Sequence, residues 1–208
     1  MSAANRVATS DYSHAFHTAS AAATDDIVLY GNALQPLPTA AAPVALTYTS
    51  YGFWRHKDVA SDQTTQTYFL YGAPTGAASM PKSGTASYQG VATATLMTGG
   101  PAQPTLSAVN GTATLTADFA AGTLATTLNL GGTYQGVGTI TGDQFSGTFT
   151  NSSPMFTSGA FNGGFFGPSA SEFGYTFRLQ YFNPDPYAGA SPAPINTWYS
   201  GVVVGKKN

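Results

Sequence analysis

Apolar and polar side chains alternate with a period of two through most of the chain. Leu46, Tyr48, Ser50, Gly52 and Trp54 alternate with Thr47, Thr49, Tyr51, Phe53 and Arg55, and a second run, QTYFLYG, begins at Gln66. Successive side chains of a strand point to opposite faces, so the pattern predicts a hairpin whose strands flank a charged loop at 55–63. The longest alternation follows the turn-rich APTGAASMPKSG. There Ala86, Tyr88, Gly90, Ala92, Ala94 and Leu96 share one face, opposite Thr85, Ser87, Gln89, Val91, Thr93 and Thr95. A strand of this length curves, and Gly90 is expected to relieve the bend.

Ala113, Leu115, Ala117 and Phe119 oppose Thr112, Thr114, Thr116 and Asp118, and alternation resumes at Leu124, Thr126, Leu128 and Leu130. That is an antiparallel hairpin. Further strands are predicted over 134–140, 144–150, 158–166, 173–181 and 197–204. Phe161 and Phe165 share one parity and Phe166 the other, while Phe173, Tyr175, Phe177, Leu179 and Tyr181 line one face. One aromatic set is expected to fill an interior and the other to meet a second layer or a partner. YQGV occurs at 88–91 and again at 134–137, which predicts the same local bend in two strands. A meander of this kind needs closure or a covering layer to protect its edges.

Upstream, residues 11–23 are Ala-rich and predict a short helix with His14, Phe16, His17 and Ala21 on one surface. Residues 31–44 hold Pro36, Pro38 and Pro43 and predict an extended connector. The chain therefore divides into an N-terminal segment with a small domain at 1–78 and an antiparallel β-barrel domain at 79–208.

Composition narrows the chemistry. The 24 Gly and 13 Pro argue for short strands and turns over long helices. A chain of 208 residues buries a sizeable core without staples, and with no Cys it has no thiol nucleophile, disulfide or Cys-based metal site. Only 8% of residues are charged and the net charge is −2, which gives no footprint for nucleic acid. No stretch approaches a membrane-spanning helix. MSAANRVATSDYSH lacks an apolar core of signal-peptide length, as expected of a chain whose targeting segment is absent.

Candidate catalytic groups are scattered. Asp118, Asp143, Glu172 and Asp185 have no spacing that converges two carboxylates on one cleft, and GPSAS lacks a nucleophile elbow. Asp25 and Asp26 lack the ordered oxygen pattern of a calcium loop and are expected to solvate a turn or start a strand. GTYQGVGTITG has no phosphate-cradling lysine pattern. No enzyme is expected, and no metal site. The histidines show no recognised metal spacing, and His17 and His56 are the candidates for a heme ligand.

Aromatic residues offer the better binding candidates. Tyr51, Phe53, Trp54, Tyr68, Phe69 and Tyr71 are large anchors beside a charged loop, with Arg55 and Lys57 to orient a ligand. The competing expectation is that they pack the small domain onto the barrel. Tyr187, in the proline-rich stretch 184–194, is placed to meet a partner or simply to bridge the last two strands.

Several motifs carry a family resemblance: MPKSGTASYQG, GTATLTADFAAG, FSGTF, GAFNGGFFGPSASEFGYTF and the closing GVVVGKK. With them the chain resembles the barrel domain of bacterial surface lipoproteins related to transferrin-binding protein B. YTSYGFW and YFLYGAPT look like the region that joins handle and barrel in the shorter members. The resemblance covers most of 46–207 and implies an all-β fold, an eight-stranded antiparallel barrel with a small N-terminal handle. Glu172 and Gly174 match the acidic and glycine positions after the family's Gly-Pro turn, and Phe165, Phe166, Gly167 and Pro168 match its aromatic entrance. All of these look architectural.

The resemblance further implies a noncatalytic binding protein at the bacterial outer-membrane surface or secreted, recognising a host protein, a receptor or a nutrient ligand such as heme. The chain has room for a single handle–barrel unit and lacks the lipobox cysteine of a lipid anchor. The alternatives are a structural or interaction module of the envelope and a heme-binding protein. The architectural rival is a membrane-spanning barrel.

Overall fold

The computed structural model describes residues 6–9, 13–30, 45–98, 105–183 and 195–208. The predicted connector at 31–44 and the stretch 184–194 lie outside them. Five antiparallel strands form the N-terminal sheet in sequential order: β1 (Arg6–Thr9), β2 (Ser13–Ala19), β3 (Ala23–Tyr30), β4 (Thr49–Asp58) and β5 (Thr64–Gly72). Eight more close into a barrel: β6 (Thr85–Thr98), β7 (Thr105–Asp118), β8 (Thr123–Asn129), β9 (Thr133–Thr141), β10 (Gln144–Thr150), β11 (Phe156–Phe166), β12 (Glu172–Asn183) and β13 (Ile195–Lys207). Each barrel strand pairs with its neighbours in sequence, and β13 returns to β6, which leaves the barrel no edge.

The N-terminal helix is not formed. Residues 13–19 are a strand that pairs in full register with β3, from Ser13 opposite Tyr30 to Ala19 opposite Thr24. The alanines of 11–23 favour a helix only weakly, and partnership with a sheet edge overrides that preference. Arg55 and Lys57 also lie in β4 and not in a loop, because Gln66 and Thr64 stand opposite them on β5. The connecting turn spans only 59–63.

Inward side chains fill the barrel. Tyr88, Leu115, Leu128, Tyr134, Phe165, Phe173, Tyr175 and Leu179 are all buried there. Phe145 sits 5.1 Å from Phe165, and Phe161 lies 5.3 Å from Tyr175, centroid to centroid. The YQGV repeat solves one packing problem twice. Tyr88 and Tyr134 point inward, and the glycine two residues on lies against a phenylalanine ring, Gly90 near Phe173 and Gly136 near Phe149. A Cβ at Gly136 would stand 2.6 Å from the Thr126 methyl and 2.9 Å from that ring, so both neighbours hold the position to glycine. Outward positions of β6 to β9 are mostly Thr, Ser and Gln, with Val91 and Val137 among the exceptions, unlike the continuous apolar belt that a membrane-spanning barrel turns to lipid. No helix among the described residues is long and apolar enough to cross a membrane.

Each interior phenol has a partner: Tyr88 donates to the Ala170 carbonyl (2.8 Å), Tyr175 meets the Thr126 hydroxyl (3.2 Å) and Tyr134 meets Tyr181 (2.6 Å). Burial pushes all three pKa values above the ordinary value of 10.0, with the Tyr181 hydrogen bond adding to the shift at Tyr134. A raised folded-state pKa favours folding fully below the unfolded value and loses that contribution as pH climbs through the folded one. Ionisation of these phenols, followed by ultraviolet absorbance, is therefore expected well above pH 10 and together with loss of the β-sheet signal. Reversible titration of every tyrosine near pH 10 with the fold intact would contradict a sealed interior.

The sheet lies on the outside of the barrel. Val91, Val202 and Val204, outward on β6 and β13, form a second small core with Leu46 and Tyr51, flanked by Tyr30, Tyr68 and Leu70. Glu172 welds the junction: its carboxylate accepts backbone N–H bonds from Thr47 (2.6 Å), Tyr48 (2.9 Å) and Thr49 (2.8 Å). The chain leaving β5 is also tied down. Thr75 donates its amide to the Phe165 carbonyl and its hydroxyl to the Gly167 carbonyl, and Gly167 donates to the Ala73 carbonyl. Gly167 has φ 72°, a conformation that favours glycine, and its open side lies against the Tyr48 ring.

Candidate functional site

Strand alternation sorts the handle residues onto two faces. Tyr51, Phe53, Arg55 and Lys57 share a face with Leu70, Tyr68 and Gln66, and that face meets the barrel. Tyr51 is buried and stacks on Tyr30 at 4.7 Å, and Phe53 tilts against Tyr68 at 6.0 Å. The Tyr68 phenol and the Gln66 amide both reach Thr95 of the barrel, at 2.9 and 2.7 Å. Arg55 donates through two nitrogens to the Gln66 side-chain oxygen Oε1, and Lys57 pairs with Asp62 at 2.7 Å. Among the expected anchors, Tyr51 and Tyr68 thus serve the junction.

Trp54, Phe69 and Tyr71 lie on the opposite face, turned away from the barrel. Trp54 is 43% exposed and Tyr71 37%, and the half-buried Ile27 and Leu29 continue the same face on β3. Asp25 fixes the centre of this surface by accepting from the indole N–H of Trp54 (2.9 Å) and pairing with Nδ1 of His56 (2.8 Å). Those hydrogen bonds, His56 first and Trp54 second, hold the Asp25 carboxyl below the usual carboxylate range. Tyr187 lies outside the described residues.

His17 and His56 do not converge. His17 bonds Asp26 through Nδ1 at 2.7 Å on the barrel-side face, while His56 bonds Asp25 on the outer one. In each, Nε2 is the nitrogen left for a ligand, but the sheet separates the two rings. Two of the candidate carboxylates have structural partners: Asp118 accepts from the amides of Ala120 and Ala121 in its own turn, and Glu172 serves the junction, while Asp185 lies outside the described residues. Among the described residues no group of three or more His, Cys, Asp or Glu side chains is placed to hold a metal ion.

A second feature escaped the sequence reading. Between β5 and the outer wall of the barrel run two adjoining hollows of about 510 and 350 Å³, sharing Tyr68, Asn162 and Thr176. Thr139, Ser146, Asn162, Thr176, Arg178 and Ser200, each from the outward parity of its strand, line the barrel side, and Tyr68 and Leu70 are among the β5 residues that line the other. The available signal was the Thr, Ser and Asn parity opposite the aromatic one. It names an outer face but not which strands come together under the handle.

Fold and sequence comparisons agree with this arrangement. The chain superposes on transferrin-binding protein B from Haemophilus parasuis Hp5 with a TM-score of 0.57 at 20% identity, covering 96% of this chain and 38% of that one. For isotype 1 of the protein from serogroup B Neisseria meningitidis the values are 0.52 and 16%, over 100% and 36%. A structure described as a surface lipoprotein matches at 0.50 and 17%, over 85% and 81%. The chain thus spans well under half the length of the transferrin-binding proteins it resembles. No curated protein sequence matches it. The profile of the C-lobe and N-lobe β-barrels of transferrin-binding protein B matches residues 80–202, more than half of the chain and nearly all of the closed barrel, and the protein belongs to that family.

Proposed function

We propose that the protein is a noncatalytic binding protein of the bacterial cell surface that recognises a host protein. Its barrel (79–208) is the rigid support, and the N-terminal part (1–78) presents the contact surface. The observation that carries this reading is the outer face of the handle sheet, where Trp54 and Tyr71 stand exposed beside half-buried apolar neighbours while Asp25 holds the indole in place. Rigid aromatic anchors fixed by a hydrogen bond lose little entropy on binding. Phe69 packs against Gly52 on the same face and supports Tyr71, 6.2 Å away.

The names of the similar structures make transferrin the first ligand to test. Saturable binding of iron-loaded transferrin to the immobilised protein is expected. The double variant Trp54→Ala, Tyr71→Ala should weaken it at least about tenfold while the β-sheet signal of the folded protein is retained. No saturable binding would remove transferrin as the ligand, and wild-type affinity in the variant would remove this face as the contact.

A further inference from the structure

Among the described residues, strand β5 ends the handle sheet, with β4 as its strand partner on one side. The direction of its backbone groups follows from the two ends of the ladder. Ala73 donates to the Tyr48 carbonyl and Asp58 donates to the Gln63 carbonyl, and both pairs continue the β4–β5 register. Hydrogen-bonded and non-hydrogen-bonded pairs alternate along an antiparallel ladder. Odd-numbered residues of β5 therefore turn their N–H and C=O to β4, and Gln66, Tyr68 and Leu70 turn theirs outward. An edge of this kind is a template for another strand.

The edge opens onto the groove described above, and its Gln66 end is positively charged. Arg178 lines the groove there, exposed, with its guanidinium 3.7 Å above the Trp198 ring. Arg55, one strand further in on β4, donates to the Gln66 side-chain oxygen at the same end of the strand. Neither guanidinium has an ion-pair partner among the described residues; Asp26, opposite Arg55, is taken by His17.

We propose that the β5 edge is a second binding site, distinct from the outer aromatic face, which takes an extended peptide by strand addition. The peptide is antiparallel to β5 and rich in small polar residues, with an acidic side chain at its C-terminal end. Its backbone bonds Gln66, Tyr68 and Leu70, as in other cases of β-augmentation. Every second side chain points to the Thr, Ser and Asn positions of the barrel wall. The acidic group pairs with Arg178, and the antiparallel direction continues the sheet as it stands.

The test uses the full chain and three end-capped synthetic octapeptides of alternating Ser/Thr and Val ending in Asp-Glu. One is unmodified, one is N-methylated at the residues whose N–H would face β5, and one is N-methylated at the intervening residues. Calorimetric titration should show saturable 1:1 binding of the first and third and at least about tenfold weaker binding of the second, because methylation there removes ladder donors. Hydrogen exchange should slow at the Gln66, Tyr68 and Leu70 amides. Arg178→Ala, an exposed substitution, should weaken the acidic peptide about fivefold at low salt and leave a Ser-Ser-ended version unchanged. Equal affinity of the two methylated peptides, no saturable binding of any, or protection of these amides by concentration-dependent dimerisation of the chain alone would each overturn the proposal.

Discussion

Replacing Glu172 with alanine is expected to lower stability by about 2–4 kcal/mol and to free the handle before the barrel melts. The carboxylate is 4% exposed and accepts three consecutive backbone N–H groups at the start of β4, so its removal leaves donors at the seam without an acceptor. Charge-assisted bonds of this kind are stronger than neutral ones. Glu172→Gln should fall between. Its carbonyl can keep Tyr48 and Thr49, both held by Oε2, while its amide N–H₂ meets the Thr47 N–H as donor against donor. Denaturant unfolding gives the magnitude, and hydrogen exchange gives the location. Protection should fall first in β3 to β5 and persist in β6 to β13. A uniform loss over both sheets, or none in either variant, would show that the handle is held by the apolar contacts of Val91, Val202 and Val204 alone.

Phe165→Ala is expected to cost about 3–5 kcal/mol, the range for deleting a fully buried aromatic ring. Phe165 has no exposed surface and packs against Phe145, Phe119 and Tyr88 at 5.1, 5.5 and 5.9 Å. Those neighbours, on β6, on β10 and just past the end of β7, cannot collapse into the space without shifting the closed ladder, so much of the cavity should remain. Val137→Ala, on the outside of β9 with Val137 65% exposed, serves as the control and should change stability by less than about 0.5 kcal/mol. Chemical denaturation of both variants decides it, and a similar small loss in each would mean that the barrel interior is not packed as described.

The barrel was legible because one rule governs each of its strands. Ala86 to Leu96 and Phe173 to Leu179 alternate cleanly, and the inward parity read from the pattern is the buried one. Phe166, on the opposite parity to Phe161 and Phe165, is buried too, and the reason is external: it bridges to Pro74 of the segment leaving the handle. The short helix failed for a related reason. Residues 13–19 have weak local preferences, and the deciding partner, β3, needed a third strand, β4, to hold it in place. Glu172 was placed by resemblance as an architectural residue, yet its three amide partners lie more than 120 positions earlier in the chain.

Of the binding candidates, Trp54 and Tyr51 looked alike in sequence, large aromatics three residues apart. Only the docking of one sheet face onto Val202 and Val204 buried the second and left the first exposed. The open edge of β5 and the guanidinium of Arg178 likewise meet only because the handle lies across β12 and β13. In the barrel the period-two pattern by itself determined strand existence, the inward face and the filled interior, since side-chain direction in a strand depends on nothing beyond the strand. Which faces meet, which edge stays open and which charges lack partners were decided by tertiary structure alone, because those depend on contacts between residues far apart in the chain.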